Sequence, residues 1–184
     1  QMCIRDSFSS IQDDIVKVKR GVQKSLKSVV FINFPLMIFL SLIAKPLIII
    51  LYSEKWLPSV PYFQVLCLGF GMLLIIHSVN LSLIKSLGRS DWVLKLEIIK
   101  KITGIILISI GVSFYGIMGM LYALALNSVL EIFLNGYYTG KLIGYGPISQ
   151  IMDFGPTLLL SVFSGIISWL SLIHISEPTR PLRI

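Results

Sequence analysis

Residues 102–138 read ITGIILISIGVSFYGIMGMLYALALNSVLEIFLNGYY. One acidic residue, Glu131, and no basic residue interrupts this run. A single bilayer crossing needs about 20 predominantly apolar residues, so the run is long enough for nearly two. Tyr115-Gly116-Ile-Met-Gly119 breaks its middle and reads as a tight connection between two spans, 102–115 and 117–138. The first is short, which suits a tilted helix or a thin bilayer contact.

The rest of the chain fits the same class. Of its 184 residues 55% are hydrophobic and 14% charged, and the mean hydropathy is +0.85. Soluble domains carry about 25% charged residues, so the composition excludes a disordered chain and argues against a soluble globule. The expected fold is all-α, a polytopic transmembrane helix bundle. Upstream, spans are expected at 26–52, with Pro35 inside and Lys45-Pro46 breaking the run, and at 62–83. Between them, Ser53 to Pro61 reads as a loop, with Tyr52, Trp56 and Tyr62 as an interfacial aromatic belt. Gly88 reads as a helix stop and Ser90 as the next cap, with Asp91–Lys95 and Glu97–Lys101 spaced as i,i+4 ion pairs. Downstream, Lys141 to Asp153 reads as a polar connection, and a fifth span is expected at 156–169. Residues 8–28 read as a basic amphipathic helix for the headgroup layer, started by Ser9-Ser-Ile-Gln12 and followed by Lys17, Lys19, Arg20, Lys24 and Lys27.

Charge sets the expected orientation. Five basic residues lie in 8–28 and five in 85–101, against two in 45–61 and none in the turn at 116. Basic loops stay in the cytoplasm, so these segments predict a consistent alternation of crossings. The excess suits anionic lipid headgroups rather than nucleic acid.

Residues 1–7 and 170–184 are expected to be translated adapter flanking a gene fragment. Met2 to Ser7 can be encoded by nucleotides whose reverse complement encodes Leu170-Ser-Leu-Ile-His-Ile175. Without these segments, which hold three basic and two acidic residues, the net charge falls from +7 to +6. Cys67 and His77 are then the remaining cysteine and histidine.

No paired carboxylates, HExxH, CxxC or Walker-type loop mark the sequence, so no catalytic residue, metal site or cofactor is expected. Glu131 is the most informative position. A mid-span carboxylate costs about 2.5–3.5 kcal/mol on insertion scales, so it should face protein or a water-filled cavity. Asn127 and Asn135 lie one helical turn on either side, and Asn80 shares a polar step with His77 and Ser78 in the preceding span. This stripe reads either as cavity lining, with a proton or cation site, or as hydrogen bonding between helices. His77 reads as a base or as a packing residue. Arg89, with Lys85, Lys100 and Lys101, reads as a capture site for a phosphate-bearing headgroup or as ordinary membrane anchoring. Gly136, Gly140 and Gly144 repeat every four residues and permit close helix approach.

An ordered set of short motifs resembles the bacterial oligosaccharide flippases of the multidrug/oligosaccharidyl-lipid/polysaccharide exporter superfamily. The motifs are Phe8-Ser-Ser-Ile-Gln-Asp-Asp14, Phe34-Pro-Leu-Met37, Ala44-Lys-Pro-Leu-Ile48, Glu54-Lys-Trp56, Gly88-Arg-Ser-Asp91, Leu94-Lys-Leu-Glu-Ile-Ile-Lys-Lys101 and Lys141-Leu-Ile-Gly-Tyr145. The resemblance implies two helical lobes around a central cavity, of which residues 26–169 would form part of the second, the first lobe belonging to the same polypeptide. It implies translocation of an undecaprenyl-pyrophosphate-linked glycan across the cytoplasmic membrane by alternating access. From the residues themselves, Asn80, Asn127, Glu131 and Asn135 are expected to line the path, with Arg89 at its mouth. The competing readings are a cation-coupled multidrug-type exporter of the same superfamily, a membrane glycosyltransferase, and a non-catalytic scaffold.

Overall fold

The computed structural model describes residues 15–176, with side chains to residue 171. The cap expected at Ser9–Gln12 and residues 1–7 and 177–184 lie outside the described residues. Among the described residues the chain is helical, with no strand.

Helix α1, Ile15–Leu42, buries Val18, Val22, Leu26, Val30, Phe34 and Ile38, one residue every fourth position. That spacing places one face of the helix against its neighbours over its whole length. Val18 and Val22 belong to the same buried stripe as Phe34, so the basic segment and the first apolar run form one continuous helix. Pro35 lies within α1, and the helix resumes beyond it. The break comes at Ile43, just before the expected Lys45-Pro46, and α2, Ala44–Tyr52, follows.

The expected loop at 53–61 is mostly helical. A 3-10 turn, Glu54–Ser59, leads into α3, Val60–Val65, a π-helical segment, Leu66–Gly71, and α4, Met72–Ser86. Pro58 lies in the 3-10 turn and Pro61 in the first turn of α3, where a missing amide hydrogen costs little. Tyr52 and Trp56 pack at 6.4 Å between ring centroids. The wider π turn leaves carbonyls without their α-helical partners. Asn33 of α1 packs on the end of this segment, donating its Nδ2 to the carbonyls of Gly71 and Met72 at 3.2 and 3.3 Å.

Gly88, at φ 73°, ends α4 as expected. Helix α5, Ser90–Ile143, folds back on itself at Gly116, whose φ of 59° and ψ of −139° break the helix. Its arms, 90–115 and 117–143, are α5a and α5b. Trp92 meets Tyr138, Thr103 meets Asn127, and Gly111 meets Gly119, so the arms run antiparallel from tip to base. A β-carbon on Gly111 or Gly119 would strike the backbone of the other, so the tip closes only with glycine at both. The tight connection expected at Tyr115–Gly119 is this tip.

Helix α6, Pro147–Ser176, begins nine residues before the expected span. The polar connection expected over 141–153 shrinks to 144–146. Gly144 caps α5b in the left-handed conformation. A β-carbon on Gly136 would press Pro147 at 3.0 Å, and one on Gly140 would lie 2.9 Å from Gly146 Cα. The four-residue glycine repeat therefore accommodates the chain's own return rather than a separate helix.

Helix α1 packs on α6 and α4, and α4 packs on α5. The core joins Val18 through Ile38 of α1 with Ile76, Val79 and Leu83 of α4, Ile132 and Ile143 of α5b, and Phe154 of α6. Phe34 and Phe154 meet edge to face at 6.0 Å. Four helices are long and apolar enough to cross a membrane: Ile15–Leu42, Glu54–Ser86, Ser90–Ile143 and Pro147–Ser171. The third is a hairpin of two antiparallel arms. Ile50, Phe114 and Leu159 are each more than 70% exposed, as befits a surface that meets hydrocarbon rather than water. The chain is a multi-pass integral membrane protein.

A polar seam inside an apolar bundle

The functional candidates group at one seam, where α4 meets the α5 hairpin and the start of α6. Asn80 is 1% exposed and fully engaged. Its Nδ2 donates to Gln150 Oε1 at 2.8 Å and to the Ile76 carbonyl at 3.2 Å. Its Oδ1 accepts from Gln150 Nε2 at 2.9 Å and from Thr139 Oγ1 at 3.2 Å. Gln150 Nε2 also reaches the Tyr145 carbonyl. Two amides locked head to head tie α4 to α6, with α5b held between them by Thr139. Neither Gln150 nor Thr139 stood out in the sequence, because each becomes polar-paired only when three helices meet.

Beside this lock lies a titratable group set. His77 Nδ1 is 2.7 Å from Asn135 Nδ2 and 3.2 Å from Glu131 Oε2. Asn127 Nδ2 donates to Glu131 Oε1 at 2.9 Å, and Thr103 Oγ1 contacts Asn127 Oδ1 at 3.4 Å. Gly104 of α5a lies beside the Asn127 amide, at a distance where a β-carbon would make ordinary contact. The stripe Asn127, Glu131 and Asn135 thus faces inward, and His77 answers it from α4.

The geometry constrains the proton count. An amide nitrogen only donates, so His77 Nδ1 accepts from Asn135 as the atoms stand. The same Nδ1 then faces a carboxylate oxygen, and two acceptors repel unless a proton lies between them. Protonated Glu131 supplies it. Alternatively, an imidazolium N–H supplies it with the Asn135 amide turned over. Asn135 is fully buried, and among the described residues its Oδ1 accepts no hydrogen bond.

Lys100, read from the sequence as part of a basic mouth, is instead 2% exposed and pairs with Glu97 of α5a. Glu97 thus pairs at i,i+3 with Lys100 rather than with Lys101, which is exposed. A buried cation paired with a partly exposed acid is costly to separate, so the pair stays with the seam. No cluster of three metal-ligating groups occurs among the described residues.

Arg89 lies outside the seam, at the base of the hairpin. Its guanidinium carbon is 5.2 Å from the Trp92 ring centroid, and Lys141 Nζ is 5.5 Å from the same centroid. The same end gathers Lys19, which donates to the Gly144 carbonyl at 2.8 Å, and Lys27, paired with Asp153 at 2.9 Å. Asp153 also accepts from Tyr145 Oη at 2.8 Å and from Gln23 at 3.3 Å. The two basic segments of the sequence therefore meet at one end of the bundle. An apolar groove of about 320 Å³ opens between α1, the π segment and α6, walled by residues including Leu42, Leu68, Met72 and Trp169. Asn80, Asn127, Glu131 and Asn135 do not line it.

Comparison with known proteins agrees with this architecture. Residues 3–61 match the family described as "Polysaccharide biosynthesis protein". Over 131 residues, 69% of this chain and 27% of the relative, the chain is 28% identical to an "Uncharacterized membrane protein in cps region" of Klebsiella pneumoniae. Over 169 residues, 88% of this chain and 34% of the relative, it is 27% identical to "Lipopolysaccharide biosynthesis protein WzxC" of Escherichia coli (strain K12). It is 31% identical over 74 residues to "Teichuronic acid biosynthesis protein TuaB" of Bacillus subtilis (strain 168), covering 40% of this chain and 15% of that one. The chain spans about a third or less of the length of these relatives. No solved structure matches it. The chain is thus similar, over part of their length, to membrane and biosynthesis proteins of bacterial surface polysaccharides.

Proposed function

We propose that this chain is part of a membrane export protein that translocates a lipid-linked oligosaccharide across the bacterial cytoplasmic membrane for polysaccharide or lipopolysaccharide biosynthesis. The observation that carries the reading is the seam of amides and titratable groups inside helices whose outer faces are apolar. The names of the family and its relatives support a transporter over an enzyme. In this reading the substrate is an undecaprenyl-pyrophosphate-linked glycan. Its tail stays in the bilayer while its charged headgroup and sugar hydroxyls cross, which needs polar groups to replace water.

Asn80, Asn127, Glu131 and Asn135 supply those groups when α4 parts from α5b, as alternating access requires, and Arg89 receives the headgroup at the basic end. Residues 26–169 then belong to the second of two lobes, with 1–7 and 170–184 foreign to it, and the first lobe of the same polypeptide completes the cavity. The chain alone would not transport. The test is export in a strain lacking the full-length gene, complemented with a version in which Asn127, Glu131 and Asn135 are replaced singly. Loss of surface polysaccharide with normal membrane abundance supports the path. Wild-type export by all three variants removes it.

A second reading keeps the superfamily but couples export of small cations to protons. The His77–Glu131 contact favours it. Proton-linked efflux of a cationic dye, with no effect on polysaccharide, would select it.

A further inference from the structure

Two cations converge on one aromatic ring at the base of the α5 hairpin. Arg89 and Lys141 come from opposite ends of α5 and approach the Trp92 indole at 5.2 and 5.5 Å. Tyr138 stacks its edge on the same indole at 5.3 Å. Both cations are exposed, and among the described residues neither has an acid within ion-pair distance, Asp91 included. The neighbouring Lys27 and Lys100 do have such partners. Two cations gathered on one ring, neither with an acid partner among the described residues, leave positive charge at this end for an anion to neutralise.

The surface below the pair is apolar. Tyr137, Phe133 and Leu130 follow Lys141 down α5b at three- and four-residue steps and are exposed by 63%, 46% and 40%. Ile99 and Ile106, also exposed, follow Trp92 down α5a at seven-residue steps, two helical turns each. A cationic pair with an aromatic ring above a hydrocarbon-facing stripe has the layout of a phospholipid, phosphate above and chain below. Basic pockets between helices at a membrane surface hold acidic headgroups in this manner.

We propose that Arg89, Trp92 and Lys141 form a binding site for the phosphate of an acidic phospholipid, whose acyl chain lies along Tyr137 and Phe133. The site is distinct from the polar seam and shares Arg89 with the headgroup entry of the proposed function.

The test uses the full chain in nanodiscs, with Trp56→Phe and Trp169→Phe leaving Trp92 as the sole tryptophan. Bromine on the upper acyl chain quenches indole fluorescence only on close approach. Brominated phosphatidylglycerol and brominated phosphatidylcholine are compared at equal fraction in a zwitterionic bilayer. The expected result is stronger quenching by the acidic lipid, with its preference falling roughly fivefold for each cation removed. R89Q/K141Q should equalise the two lipids, R89K/K141R should retain the preference, and K45Q/K55Q at the far end should leave it unchanged. Equal quenching in the parent chain, or a preference that survives R89Q/K141Q, overturns the proposal. Inorganic pyrophosphate added at constant ionic strength should not relieve the quenching. If it does, the site takes a soluble anion and the lipid assignment is wrong.

Discussion

Nδ1 of His77, on α4, lies 3.2 Å from Oε2 of Glu131, on α5b, with the Asn135 amide against the same nitrogen. The contact crosses between two helices that the sequence separates by 54 positions. It makes the protonation of one residue a condition on the other. In the parent chain carrying His174→Gln, the infrared carbonyl band of protonated Glu131 and the nitrogen chemical shift of His77 should titrate together. In E131Q the His77 titration should shift and the band disappear. Independent titration of the two groups in the parent would refute proton sharing.

The amide lock predicts a stability cost. Asn80→Leu keeps the volume approximately but leaves Gln150 and Thr139 without their partners in a buried place. The expected loss is about 1–3 kcal/mol, read from reversible unfolding in mixed micelles. Thr139→Val, which removes a single donor, should cost less. Equal costs would mean that Asn80 and Gln150 do not bond as a pair.

The hairpin tip predicts a contrast between glycines. Gly119→Ala forces a β-carbon into the Gly111 backbone and should destabilise by about 1–3 kcal/mol. Gly155→Ala on α6 meets nothing within 4 Å and should be neutral or stabilising by up to about 1 kcal/mol. Thermal unfolding of the two variants in the same detergent checks the contrast, and a benign Gly119→Ala would mean the tip is not closed.

Tyr145, in the connection between α5b and α6, gives a pH dependence. Burial, together with its hydrogen bond to Asp153, pushes the phenol well above its ordinary value of 10.0. Below that value both folded and unfolded states are neutral at this site and the stabilisation is complete. Above it the unfolded chain ionises first, so stability falls as pH rises. Tyr145→Phe should cost about 1 kcal/mol at neutral pH and flatten the alkaline decline. An unchanged alkaline slope would count against the buried phenol.

Orientation is checked by charge transfer between ends. Moving lysines from 85–101 into 45–61 should invert a tagged chain in the membrane, because basic segments are retained on the cytoplasmic side. Unchanged topology would sink the assignment.

The spans were legible because each crossing demands a long apolar run, and the tip at Gly116 because only a turn explains two such runs in succession. Glu131 and its flanking asparagines were legible as a stripe, since i±4 spacing fixes a shared face. Three things were not. The basic helix and the first span form one helix because the buried stripe from Val18 to Phe34 outweighs the change in polarity. The loop at 53–61 folds because proline is tolerated in a first turn. Lys100, Gln150 and Thr139 looked like ordinary interfacial or helix-start residues, and only the meeting of α4, α5 and α6 turns them inward.

The π turn at Leu66–Gly71 alters how the whole second crossing is counted. Buried positions beyond it fall at Met72, Ile76, Val79 and Leu83, in steps of three and four, but the step from Cys67 to Met72 is five. Each residue of an α-helix turns the next by about 100°, so an extra residue wound as ordinary helix would swing His77 and Asn80 toward the lipid. The wide turn absorbs that residue, and Asn33 bonds the carbonyls of Gly71 and Met72 at its end. The frame is thus tolerant of length at one point alone. Removing one residue inside 66–71 should leave His77 facing Glu131, whereas removing one between 73 and 76 should turn it away.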